Sequence, residues 1–299
     1  MYPSILVPVD GSKLAERALS IAIPLAEQHG ARLLLLHVHE PITVMHIVAA
    51  GVPLRDAGLD EKMRADARSY VDRLAKRTSR LTSAPVEGVF RDGPVIPTIV
   101  AYAAESGTGL IVLSTHGRGG IQRLWLGSVA DALLRQAMVP VLLVRGARPV
   151  AKRLLGTPPF VRAVVPVDGS ARSEEALAAV KALFGTVRAR ITLVHVLHPM
   201  SAVAGMNLKR DPEAEVVRDY LEPLAQRMAS ETLEVRYEAQ IDVHVARVLL
   251  AAAETHDADL IAIAGQGLRG VQRMLVGSVA DKLIRSAAVP VLVVPVHPS

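Results

Sequence analysis

The chain has 299 residues, 51% of them hydrophobic, 3% aromatic and none cysteine; 34 Lys and Arg against 29 Asp and Glu leave a formal charge of +5. That length predicts two domains of ordinary size, and the lack of cysteine excludes disulfides, thiolate metal sites and thiol chemistry. No apolar run reaches the roughly 18 residues of a membrane helix, and the scattered basic residues form no aromatic–basic patch for nucleic acid; the charge itself fits an anionic small ligand as well as DNA and decides nothing.

The start, "MYPSILVPVDGSK", lacks the basic segment and cleavage site of a signal peptide, which predicts a cytoplasmic protein. "SILVPVD" (4–10) reads as an apolar strand ending in an acidic turn, and 13–30 as a helix that Pro24 bends or limits. A second strand follows at 32–38, then a helix over about 56–80, a short strand at 86–93 and a helix at 94–107. The half closes with a strand at 109–115, a helix at 128–137 and a strand at 139–145. A Gly-, Pro- and base-containing linker (147–159) separates this domain, 1–146, from a second, 160–299.

The second domain repeats the first. "AVVPVDGS" (163–170) answers "LVPVDGS" (6–12) at an offset of 158, and residues 264–294 answer 114–144 at an offset of 150 with 17 identities in 31. Strands alternating with helices predict, in each half, a parallel α/β sheet of doubly wound type with right-handed crossovers. Ligands of such sheets bind at the carboxyl ends of the strands, where strand order reverses. Both repeated features fall on that edge: the acidic turn at Asp10 and Asp168, and the glycine stretch before Ser128 and Ser278.

Each feature has a structural and a functional reading. Asp10 and Asp168 either form a turn and cap the next helix or accept hydrogen bonds from a base amine or sugar hydroxyl. Gly127-Ser128 either opens a capping box, with Ser128 capping and Asp131 reaching back, or leaves a helix start open to phosphate. Ser278 to Asp281 repeats the choice. His37 and His195 read as polar ends of buried strands, since a metal needs further ligands.

The spacing Ser114-x2-Gly117-x9-Gly127-Ser128, echoed by Ala264-x2-Gly267-x9-Gly277-Ser278, resembles the nucleotide-binding members of the universal stress protein family in tandem form. The early Pro8-Val9-Asp10 and Pro166-Val167-Asp168, and Val38 and Val196 after the second-strand His, match as well. Ser114 and Ala264 depart from the family's first glycine. The resemblance implies two Rossmann-like domains of the adenine nucleotide alpha hydrolase-like kind, each a five-stranded parallel sheet flanked by helices. It implies ATP in each half, with or without Mg2+: Asp10 and the backbone of Val38 toward adenine, Gly117, Gly127, Ser128 and Val129 toward ribose and phosphates. Pro166, Val167, Asp168, Val196, Ala264, Gly267, Gly277, Ser278 and Val279 are implied for the second half. Arg118 adds charge to the first site where Leu268 adds none to the second, so the first is expected to bind more tightly. The resemblance further implies that the last strands pair the halves as an internal pseudo-dimer, with a homodimer as a further step.

"GQGLRG" (265–270) matches a dinucleotide fingerprint, but its helix begins seven residues later and no further βαβ unit follows. No Walker or nucleophile-elbow motif occurs. The expected function is a stress-response regulator that binds adenine nucleotide and hydrolyses it slowly at most. An interaction scaffold of the same fold is the alternative, and an NAD-dependent enzyme comes third.

Overall fold

The computed structural model describes residues 2–41, 57–115, 127–145, 157–199, 212–265 and 278–295. These gather into two compact units, one within 2–114 and one comprising Thr115, 127–145 and 157–295 of the described residues.

The first unit runs β1 (Ser4–Pro8), a 3-10 turn (Ala15–Ala18), α1 (Leu19–His29), β2 (Arg32–His39), α2 (Ala57–Ser79), β3 (Val86–Asp92), α3 (Val95–Glu105) and β4 (Leu110–Thr115). Its strands lie parallel in the order β3-β2-β1-β4, with Leu6 opposite both Leu34 and Ile111. Ile5 to Val7 and Leu33 to Leu36 are all 0% exposed. Helices cover both faces of a parallel sheet, so the strands carry unbroken apolar runs instead of alternation. The helix expected over 13–30 is divided: its first turn is 3-10, and the α-helix starts at Leu19 with Pro24 inside it.

The second unit holds α4 (Ser128–Gln136) and β5 (Val141–Arg145), followed by β6 (Arg162–Pro166), α5 (Ala171–Phe184) and β7 (Ala189–Leu197). Next come α6 (Pro212–Val216), a π turn (Val217–Leu221), α7 (Glu222–Met228), β8 (Leu233–Ile241), α8 (Val245–Thr255), β9 (Leu260–Ala264), α9 (Ser278–Ser286) and β10 (Val291–Val294). The strand order is β5-β10-β9-β6-β7-β8. All neighbours are parallel except β5 and β10, which pair antiparallel with Leu292 opposite Leu142. The five strands of the second repeat thus form the expected parallel sheet. Order reverses between β6 and β9, so the carboxyl ends of these two strands flank the crevice where α/β sheets take ligands. No helix among the described residues is long and apolar enough to cross a membrane.

Candidate functional site

At that crevice lies a cleft of about 560 Å³, within the usual range for small-molecule sites. Strand ends supply one side: Pro166 and Val167 at the end of β6, Val194 and Val196 on β7, Ile263, Ala264 and Gly265 at β9. Helix starts supply the other: Ser170, Arg172 and Ser173 at α5, Val245 at α8, Ser278 and Val279 at α9. Every described residue expected at the second site, from Pro166, Val167 and Asp168 to Val196, Ala264, Ser278 and Val279, lines it. Gly267 and Gly277 lie outside the described residues. Gly265, Arg172 and Ser173 were not anticipated, because a lone small or basic residue beside a turn carries no spacing signal.

The Asp-Gly-Ser turn serves both of its readings. Gly169 takes φ +83°, a backbone that a side chain tolerates poorly, and this folds the chain so that Oδ1 of Asp168 accepts from the amide (3.0 Å) and hydroxyl (2.6 Å) of Ser170. Ser170, not Asp168, caps α5: its Oγ accepts from the Ser173 amide at 3.2 Å. Burial opposes ionisation of Asp168, but the hydrogen bonds from Ser170 and the Ser173 hydroxyl outweigh it and hold the carboxyl below its ordinary value. The result is an ionised acceptor at the rim of the cleft. The first repeat builds the same turn, with Gly11 at φ +86°, the Ser12 amide donating to Asp10 at 2.9 Å and the Ser12 hydroxyl accepting from the Ala15 amide at 3.0 Å.

Of the two readings of Gly127-Ser128, the capping box is not formed. Gly127 is the N-cap of α4 and no side chain bonds the helix start. Asp131 pairs instead with Arg135 one turn on, and Asp281 with Arg285 at 2.8 Å. A serine at the first helical position, one residue past the cap, cannot reach back over the turn. The opening amides of α4 are therefore left without a side-chain cap, as an anion site requires. Gly127 has φ −58°, a backbone that any residue adopts, so no positive φ requires glycine there.

Behind the acidic turn stands a cluster that the motif reading missed, and it occurs in both repeats. His37 meets Tyr70 edge-on (centroids 5.8 Å apart, 70°) and His195 meets Tyr220 likewise (5.9 Å, 74°). Each tyrosine donates to a glutamate at 3.2 Å, Glu16 or Glu174, and each glutamate pairs with an arginine, Arg77 or Arg227. The Nδ1 atoms of His37 and His195 are buried without a hydrogen-bond partner. Burial lowers both imidazoles below the ordinary histidine value despite the Val9 or Val167 backbone and Asp10 or Asp168, so both rings are neutral at pH 7. Burial, then Glu174, push the Tyr220 hydroxyl up to about 12. The repeat offsets, 158 for His and Glu and 150 for Tyr and Arg, could have found these residues had they been applied outside the glycine motif.

For the first repeat, Pro8, Val9, Asp10 and Val38 stand at the carboxyl ends of β1 and β2, and Ser114 near that of β4. The Ser114 hydroxyl is buried without a partner, a cost that a ligand hydroxyl would relieve. Gly127, Ser128 and Val129 open α4 in the other compact unit. Gly117 and Arg118 lie outside the described residues. No three of His, Asp and Glu converge as metal ligands among the described residues.

The family model for universal stress proteins matches residues 1–145 and again 159–295. A universal stress protein of Mycobacterium tuberculosis is 30% identical over 273 residues, covering 85% of this chain and 86% of that one. One of Thermus aquaticus is 33% identical over 146 residues, 48% of this chain and 100% of the relative. The crystal structure of a universal stress protein from Archaeoglobus fulgidus superposes with a TM-score of 0.73 at 19% identity, covering 98% of each chain. That likeness speaks to the fold.

Proposed function

Given that the chain belongs to the universal stress protein family, in tandem form, we propose that it is a cytoplasmic stress-response regulator that binds ATP in each half. The observation that carries this reading is the cleft of about 560 Å³ that gathers Asp168, Val196, Ala264, Ser278 and Val279 from four separate segments. Its chemistry fits an adenine nucleotide. Val194, Val196, Leu249 and Ile263 offer an apolar wall to a base, Asp168 an acceptor to an amine or hydroxyl, and the start of α9 peptide N–H groups to phosphate. Three or four such charge-assisted bonds at about 1.5–3 kcal/mol each, together with burial of the base against the apolar wall, oppose several kcal/mol of association entropy; micromolar affinity corresponds to a net of roughly −8 kcal/mol. A Mg2+ ion carried in by the nucleotide would neutralise phosphate charge.

Binding rather than turnover is the proposed role. Asp168 is held ionised by Ser170 and Ser173, which suits it to accept hydrogen bonds and makes it a poor proton abstractor. The two family matches support domains at 1–146 and 160–299 joined by 147–159. The antiparallel β5–β10 ladder supports an internal pseudo-dimer through the last strands, with a homodimer as a further step.

The test is direct: denature the purified protein, identify released nucleotide by chromatography, and titrate the stripped protein with ATP by calorimetry. Released adenine nucleotide or a micromolar isotherm is expected. If neither is seen, the reading fails and the empty-site scaffold takes its place; released NAD would favour the enzyme reading.

A further inference from the structure

We infer that Arg172 is the anion-binding side chain of the second-repeat cleft, so that this half selects nucleotides by charge through a residue the first half does not have. The inference rests on the nucleotide reading of the cleft. Among the described residues the lining contains one acid and one base, Asp168 and Arg172. Four residues apart on the same turn, they do not pair: Asp168 spends Oδ1 on Ser170, and Arg172 has no ion-pair partner among the described residues. Two acids at the neighbouring helix starts are already answered. Glu174 is held by Arg227 at 3.5 Å and by the Tyr220 hydroxyl, and Asp281 by Arg285. Arg172 thus stands at the rim without an ion pair among the described residues, with Glu175 three residues on along α5, and the positive ends of α5, α8 and α9 add to its charge.

Such a cleft holds an acceptor and a cation that do not cancel each other. It therefore favours a ligand with hydrogen-bond donors at one place and negative charge at another, a nucleotide over its nucleoside. Arginine suits the task because its planar fork meets two phosphate oxygens at once. The first repeat is built differently. At the offset of 158 the counterpart of Arg172 is Leu14, and the base stands one residue earlier, at Lys13, where the second repeat has Ala171. One residue turns a side chain by about 100° around a helix. The chain there also starts with a 3-10 turn rather than an α-helix. Comparing Arg118 with Leu268 assigned the extra cation to the first half; Arg172 supplies the second half from a different element.

The test uses the full-length protein and Arg172→Gln, titrated calorimetrically with ATP, ADP, AMP and adenosine at two salt concentrations. Arg172 is exposed, so an unchanged melting curve is expected for the variant. R172Q should weaken ATP at one class of site by about tenfold, the worth of one charge-assisted bond, and flatten its salt dependence. Adenosine should bind the variant and the parent alike, and Arg172→Lys should restore part of the ATP affinity. ATP binding that R172Q leaves untouched overturns the inference but not the nucleotide site, and so does an equal loss for adenosine. A parent protein that takes none of the four ligands overturns the site reading itself, and the inference with it.

Discussion

The neutral histidines His37 and His195 make a prediction about acid stability. In the unfolded chain each titrates near 6.5; in the fold, burial lowers both. Once the pH drops below 6.5 the unfolded chain takes up protons that the folded chain resists. Stability therefore falls as the pH descends through that value toward the lowered one, and flattens beneath it. A whole proton is worth about 1.4 kcal/mol per pH unit. Both rings are only half-buried and solvent screens them, so roughly half of that is expected from each. The charges that face His37 are Asp10, which favours its protonation, and His39, which opposes it; Glu16 and Arg77 lie beyond Tyr70, and Arg68 sits over the stacked Phe90. His195 faces Asp168, with Glu174 and Arg227 beyond Tyr220. Urea unfolding of the parent and of the His37→Gln, His195→Gln double variant, run from pH 7 to pH 5, isolates their share. The parent should lose roughly 1.4 kcal/mol per unit more than the variant over part of that range. Parallel slopes would refute the claim that burial governs these two rings. If the compact units unfold in separate transitions, His37→Gln should alter one and His195→Gln the other.

Three further outcomes are expected. Ser170→Ala removes the cap of α5 and the hydroxyl bond to Asp168 but keeps the backbone amide bond, costing about 1 kcal/mol at pH 7. Because Asp168 is depressed in the fold, its contribution is present above 3.8 and fades as the pH falls through the folded value; the variant should show less of that acid-side loss, and equal urea midpoints at pH 7 would contradict the cap. Leu292→Ala, at a position 0% exposed between Leu142 on β5 and Ala262 on β9, should cost about 2–5 kcal/mol, read as a lower melting temperature. Gly93→Ala places a Cβ 2.7 Å from the Thr98 hydroxyl at φ +140°, and about 1–3 kcal/mol of destabilisation is expected. Adding Thr98→Ala removes the clash but not the backbone strain, so full recovery in the double variant would show that the torsion costs nothing.

Much of the candidate site could be read without coordinates because it was written twice. The paired Pro-Val-Asp turns and Gly-Ser helix starts share one spacing, and a parallel α/β sheet has one edge where such residues can meet. The aliphatic runs of β1, β2, β6 and β7 likewise announce strands covered on both faces. Local chemistry was harder to read. Ser128-Val129-Ala130-Asp131 has the letters of a capping box, yet Gly127 caps α4 and Asp131 turns to Arg135, because an arginine one turn away outbids a backbone amide for a carboxylate.

The amino-acid order alone determined the duplication, the strand–helix alternation and the edge on which Asp168 and Ser278 lie, since these depend on periodicity and on distances along the chain. Three-dimensional packing decided the rest. It brought Arg172 to the lining of the cleft, brought Tyr220 and Glu174 behind His195 from 25 and 21 residues away in the chain, and paired β5 with β10 antiparallel. Side-chain partnerships between distant segments depend on how helices seat against the sheet, and no local spacing encodes that.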